Sequence, residues 1–88
     1  MNAEAAWRLH PQVSIRPEPF GALLYHFGTR KLSFLKDRLL LAVVEQLGTA
    51  PSATAACDAA GVPEPDRPRY LAALATLADS HMIERDSR

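Results

Sequence analysis

The chain has 88 residues, with ten Lys/Arg against ten Asp/Glu and one cysteine. That length allows one small domain near the lower limit for a single core, and zero formal net charge excludes a general polyanion-binding surface. Cys57 alone excludes an internal disulfide and fits a cytoplasmic location; with no apolar run of about 18 residues and no charged-then-apolar leader, the chain reads as soluble and untargeted, with no membrane partner.

Residues 1–10 and 86–88 are expected to be loose, with Trp7 either a lid over the sheet or a disordered contact residue. Val13 and Ile15 then alternate with Gln12, Ser14 and Arg16, which predicts a strand near 12–16 that Pro17-Glu18-Pro19 ends. Ala22 to Phe27 predicts a second strand over 22–27. Gly28-Thr29-Arg30 turns the chain, and a third strand is expected over 31–34. Phe20 and Phe27 are expected in the core. The second strand is the most apolar and has turns on both sides, so it should be central. The first is bordered by Pro11 and Pro17, which cannot donate to a ladder. The third keeps every backbone donor, and such an edge invites another strand to pair with it.

At Leu35 the apolar period changes to 3.6. Leu35, Leu39, Val43 and Leu47 share a stripe with Leu40 and Val44 beside it, predicting a helix over 37–47 with Gly48 as a left-handed cap. Ser52 can cap an Ala-rich helix over 52–60, ended by Gly61. After Val62-Pro63-Glu64-Pro65, Asp66 can cap a third helix over 66–79. Pro68 is tolerated there because first-turn N–H groups have no intrahelical partner. Tyr70, Leu71, Leu74, Leu77 and Ala78 form its apolar face, and Met82 and Ile83 close the core. The fold class is α+β. One domain over 1–88 carries a three-stranded antiparallel sheet followed by three helices, with winged-helix character.

Catalytic chemistry is hard to place. His10, His26 and His81 are scattered, no His/Cys/Asp/Glu cluster has metal spacing, and no Gly-rich loop could cradle phosphate. Cys57 on an Ala-rich helix reads as a small buried residue. The expectation is a protein that is not an enzyme and has no metal and no cofactor. The helix-turn-helix of residues 52–79 offers a rival, DNA binding. Its surroundings hold Glu64, Asp66, Asp79, Glu84 and Asp86 against Arg67, Arg69, Arg85 and Arg88. Phosphate neutralisation needs more cations than that, and the middle of the third helix has almost no base-reading side chains. The expectation is no nucleic acid partner, leaving a protein- or peptide-binding module.

The run R-P-E-P-F-G-A-L-L-Y from Arg16 to Tyr25, followed by L-S-F-L from Leu32 to Leu35, resembles the precursor recognition elements typified by the pyrroloquinoline quinone peptide chaperone. The longer run from His10 to Val44 is similar to the mycofactocin biosynthesis chaperones. The resemblance covers residues 7–85. It departs at Lys36, where many relatives have Asn, and at His81, where Gly is common. It implies a non-catalytic chaperone that binds the leader of a ribosomally made precursor peptide. The leader would lie as an added strand beside the third strand, in a cleft against the third helix, for presentation to a radical S-adenosylmethionine enzyme. On this sequence the edge is Arg30, Lys31, Leu32, Ser33 and Phe34. The opposite wall is Arg67, Arg69, Tyr70, Ala73, Leu74 and Leu77. Arg30 and Lys31 could hold an acidic leader, and the same edge could pair two copies into a homodimer.

Overall fold

In the computed structural model, which describes residues 1–87, the first element is a three-residue strand, β1 (Trp7–Leu9). Residues 7–9 thus depart from the expectation of a loose segment over 1–10. Trp7 is buried in the core and its indole N–H donates to the Asn2 carbonyl at 2.8 Å. The part of the expectation that falls on residue 88 lies outside the described residues.

Three strands come next, β2 (Val13–Glu18), β3 (Gly21–His26) and β4 (Leu32–Leu35), in an antiparallel sheet of order β2-β3-β4. The most apolar strand is central, as its composition requires. Leu24 stands opposite both Ile15 and Ser33, and Ala22 stands opposite Leu35. Residues directly opposite share a face. Val13, Ala22, Leu24 and Leu35 therefore form one inner face, and all are buried. Leu23 stands opposite Arg16 and Phe34, and Tyr25 opposite Ser14 and Leu32, which builds the outer face. Phe20 and Phe27 correct a second expectation. They are 46% and 60% exposed and lie outside the core.

Gly21 makes the sheet's close approach possible. Its φ is +152°, and a Cβ there would stand 1.9 Å from the Leu35 carbonyl oxygen. Only a residue without a side chain lets β3 start so near the end of β4.

Helix α1 (Arg38–Gln46) is capped by Asp37, whose carboxylate accepts from the Leu39 N–H at 2.7 Å. It lays Leu40, Val43 and Val44 on the inner face of the sheet. Helix α2 (Ala53–Ala60) is capped by the Ser52 hydroxyl, which accepts from Ala55 N–H at 3.0 Å. It ends at Gly61, at φ 85°. Helix α3 (Arg67–Asp79) packs on α2. Two cap expectations fail. Gly48 does not enter the left-handed region, and α1 instead ends with Leu47 still helical. Asp66 makes no side-chain cap, because a 3-10 turn over Glu64–Asp66 leads into α3 and leaves Asp66 helical.

After α3 the chain forms β5 (Ile83–Arg85), antiparallel to β1, with Arg8 opposite Glu84. The Arg8 guanidinium donates to Glu84 at 2.8 Å. Leu24, Leu35, Val43, Leu47, Cys57, Leu74, Met82 and Ile83 are the largest fully buried side chains. Among the described residues no helix is long and apolar enough to cross a membrane.

The end of α3 explains the departure at His81. The Met82 N–H bonds the Leu77 carbonyl at 2.9 Å and the His81 N–H bonds the Ala78 carbonyl at 3.1 Å. This is a Schellman cap, whose turning residue must be left-handed, and His81 sits there at φ 62°. An L side chain in that region is strained by about 1 kcal/mol. His81→Gly is expected to stabilise the fold by about 0.5–1 kcal/mol in urea denaturation.

Candidate functional site

The site begins with the backbone of β4. The hairpin closes with the His26 N–H donating to the Lys31 carbonyl at 3.0 Å. Antiparallel partners alternate between bonded and non-bonded pairs. Counting from His26 and Lys31, Ser33 turns its N–H and C=O toward Leu24 on β3. Leu32 and Phe34 turn theirs away, toward the open edge. The same count puts Pro17, opposite Ala22, at a non-bonded position on the other edge, where its missing donor costs nothing. His26 stiffens the turn before β4. Its imidazole is buried, and Nδ1 accepts from the Gly28 N–H at 3.0 Å and the Thr29 N–H at 3.1 Å.

Beside this edge lies a groove. One part, of about 340 Å³, is bounded by Ser33, Phe34 and Leu35 of β4, Leu40 of α1, and Ala73, Thr76 and Leu77 of α3. A second part, of about 250 Å³, is bounded by Lys36, Asp37, Leu40, Arg69, Tyr70 and Ala73. The two adjoin at Leu40 and Ala73 and make a channel along α3, its first part against β4 and its second against the β4–α1 junction. The first part is apolar. The second sets Lys36 and Arg69 against the Asp37 carboxylate, with the Arg69 guanidinium 5.1 Å from the Tyr70 ring centre and 4.0 Å from the Asp66 carboxylate.

Tyr70 and Asp37 bridge the channel at its polar end. The Tyr70 hydroxyl donates to the Asp37 carboxylate, whose other oxygen caps α1. The Tyr70 hydroxyl does most to hold the Asp37 carboxyl below the ordinary carboxylate range. Burial opposes it, and the Leu39 and Leu40 N–H groups and Arg69 add to it. The same bond, helped by burial, pushes the Tyr70 hydroxyl above the ordinary phenol value. Burial likewise pushes the Cys57 thiol above its ordinary value.

The residues expected from the sequence divide into groups. Ser33, Phe34, Tyr70, Arg69, Ala73 and Leu77 line the channel. Leu32 lies on the same edge, and Arg30 and Lys31 stand exposed in the turn before it. Leu74 is fully buried and belongs to the core. Arg67 pairs with Asp58 on α2 and does not line the channel. Leu40, Thr76, Lys36 and Asp37 line it without having been singled out. Thr76 was findable, because it lies three residues after Ala73 and one before Leu77 on one helical face. Among the described residues no group of three or more His, Cys, Asp or Glu could hold a metal ion. What the site offers is backbone pairing, an apolar slot and a polar end that carries both signs of charge.

Residues 6–84 match the model of the peptide chaperone MftB family. The peptide chaperones MftB of Mycobacterium ulcerans and Mycobacterium tuberculosis are each 61% identical over 82 residues, covering 93% of this chain and 75% of theirs. That of Mycolicibacterium smegmatis is 56% identical over the same length, covering 80% of its chain. Among solved structures, E. coli MccB aligns with 90% of this chain at 22% identity and a TM-score of 0.59. One such MccB structure contains AMPCPP and MccA. The chain spans 23% of MccB, and the likeness is one of fold.

The bridge makes a pH-dependent prediction. Because the folded state lowers the Asp37 value, its stabilisation is present above the ordinary carboxylate value and lost as pH falls through the lowered one. Because the folded state raises the Tyr70 value, its stabilisation is lost as pH rises through the raised one. At pH 7, Tyr70→Phe should cost about 1–2 kcal/mol, as for a hydrogen bond to a charged group. Urea denaturation should show wild type and variant converging at both pH extremes.

Proposed function

The chain belongs to the peptide chaperone MftB family, and from that premise we propose that it binds the leader of a ribosomally made precursor peptide by strand addition. It is not an enzyme: its relatives are named for chaperoning. In this reading the leader pairs antiparallel with residues 30–34 and packs against α3. The chaperone then presents the precursor to a radical S-adenosylmethionine enzyme in mycofactocin-type redox cofactor biosynthesis, in the cytoplasm.

The observation that carries the reading is the channel itself, which lies beside β4, an edge strand with outward-facing donors and no proline. A strand laid there bonds to Leu32 and Phe34 through its backbone. Strand addition takes affinity from those bonds and specificity from pockets that receive alternate side chains. One inward side chain fills the apolar part between Phe34, Leu40 and Leu77. Beside Lys36 and Arg69, the channel can take a carboxylate. We retain Arg30, Lys31, Leu32, Ser33, Phe34, Arg69, Tyr70, Ala73 and Leu77 as peptide-contacting residues and add Lys36, Leu40 and Thr76. Leu74 acts through the core.

Proline substitution tests this one donor at a time. Leu32→Pro removes an outward N–H from the empty edge. It should leave the circular dichroism spectrum unchanged and weaken leader binding at least about tenfold, which is about 1.4 kcal/mol. Leu32→Ala controls for the lost side chain and should retain more of the affinity. Ser33→Pro instead removes an N–H that faces β3 and should destabilise the sheet. Wild-type affinity in a folded Leu32→Pro would place the leader elsewhere.

A further inference from the structure

The sheet's outer face is built from the same strands as the channel and meets it at Phe34, the one outer-face residue that also lines the channel. Two rows cross it, Arg16–Leu23–Phe34 and Ser14–Tyr25–Leu32. Turn residues extend both rows. The Phe20 ring lies 6.5 Å from that of Phe34, and the Phe27 ring meets Tyr25 edge-on at 5.0 Å. Phe20, Leu23, Tyr25, Phe27, Leu32 and Phe34 thus form one continuous apolar surface. Leu32 and Phe34 are 53% and 60% exposed. α1 packs on the opposite face, so the fold itself does not cover this one. Continuous exposed patches of this kind on a small domain mark interaction sites.

The charge around the patch selects the occupant. Exposed cations stand at both ends of the patch: the Arg38 guanidinium donates to the Pro19 carbonyl at 3.0 Å, next to Phe20, and Arg30 and Lys31 lie in the turn that follows Phe27. Arg16 and Glu18 form a pair at 2.8 Å and nearly cancel. The rim is therefore positive. A second copy would bring an identical positive rim against it, which is repulsive. A few cations worth about 1 kcal/mol each at an anionic bilayer are too few to hold a flat sheet that carries Ser14 and Glu18 on the same face. A folded protein with an apolar centre ringed by carboxylates fits both features. Position narrows this further. A peptide added to β4 lies one strand spacing, about 4.8 Å, beyond Leu32 and Phe34. A protein resting on the outer face would touch the chaperone and the held peptide together.

We propose that the outer face of the β2-β3-β4 sheet, centred on Phe20, Leu23, Tyr25 and Phe27, is the docking surface for the enzyme that acts on the bound peptide. The inference rests on the strand-addition reading for the identity of that enzyme. It assigns the enzyme a complementary surface of apolar residues ringed by Asp and Glu. One face of β4 then serves the enzyme while its edge serves the peptide.

The test keeps the two surfaces separate. Phe20→Ser/Phe27→Ser and, independently, Arg16→Glu are titrated against the leader peptide and against the radical S-adenosylmethionine enzyme of the same system, without peptide. None of the three residues lines the channel. The double variant should bind the peptide within about twofold of wild type and the enzyme at least about tenfold more weakly. Arg16→Glu, on the exposed rim, should weaken enzyme binding about threefold, and rising salt should weaken wild-type association. Enzyme affinity unchanged in both variants overturns the proposal. So does a wild-type dimer that the double variant abolishes, or binding to anionic vesicles or single-stranded RNA that it abolishes. If wild type fails to bind the peptide, strand addition fails, while the enzyme arm still decides the docking face.

Discussion

The channel lies between β4 and α3, a helix tied near its two ends while Leu74 between them packs into the core. At one end the Tyr70 hydroxyl bonds the Asp37 carboxylate at the β4–α1 junction. At the other, the Schellman turn at His81 feeds β5, which pairs with β1. Between these ties α3 presents Ala73 and Thr76 to β4, side chains too small to close the gap. Larger residues there would fill the slot and give a better-packed sheet–helix interface. The structure instead leaves backbone donors and apolar surface unpartnered, which costs stability in a domain with little to spare.

β4 divides its four residues among three environments. Leu35 goes to the core and Ser33 bonds inward to β3, while Leu32 and Phe34 place their side chains outside and their N–H groups on the open edge. An edge of that kind invites unwanted pairing, and short length with flanking positive charge is a common guard. Here the strand is four residues long, preceded by Arg30 and Lys31 and followed by Lys36. The guard need not oppose the proposed function, because a leader carrying carboxylates meets attraction where a second copy meets repulsion.

The meander and the three helices were legible because each carries its own local signal. Val13 and Ile15 alternate, Leu39 to Leu47 repeat at helical spacing, and Ser52 and Gly61 bracket α2. The edges followed from the apolar, turn-flanked second strand, and Pro11 and Pro17 chose between them. The β1–β5 ribbon was not legible: three residues are too few to show alternation, and its pairing joins segments about 75 residues apart in the chain. Phe20 and Phe27 were misplaced because aromatic residues are usually buried, whereas turn residues take their direction from the strands they join. Gly48 and Asp66 carried the right residue types for caps. The caps failed because α1 stays helical through Leu47 and a 3-10 turn precedes α3. At the site, the lining residues of α3 came from helical spacing. The Tyr70–Asp37 bridge joins residues 33 apart in the sequence, and nothing local announces it.

The central claim, that a peptide adds as the fourth strand of the sheet, is tested most directly by residue-resolved amide hydrogen exchange with and without the leader. On binding, protection should rise at Leu32 and Phe34, whose N–H groups face the open edge. It should change little at Ser33, whose N–H is already bonded to β3. Protection that rises instead at Ile15 on the opposite edge, or uniformly through β4 without the alternation, would contradict strand addition at this edge.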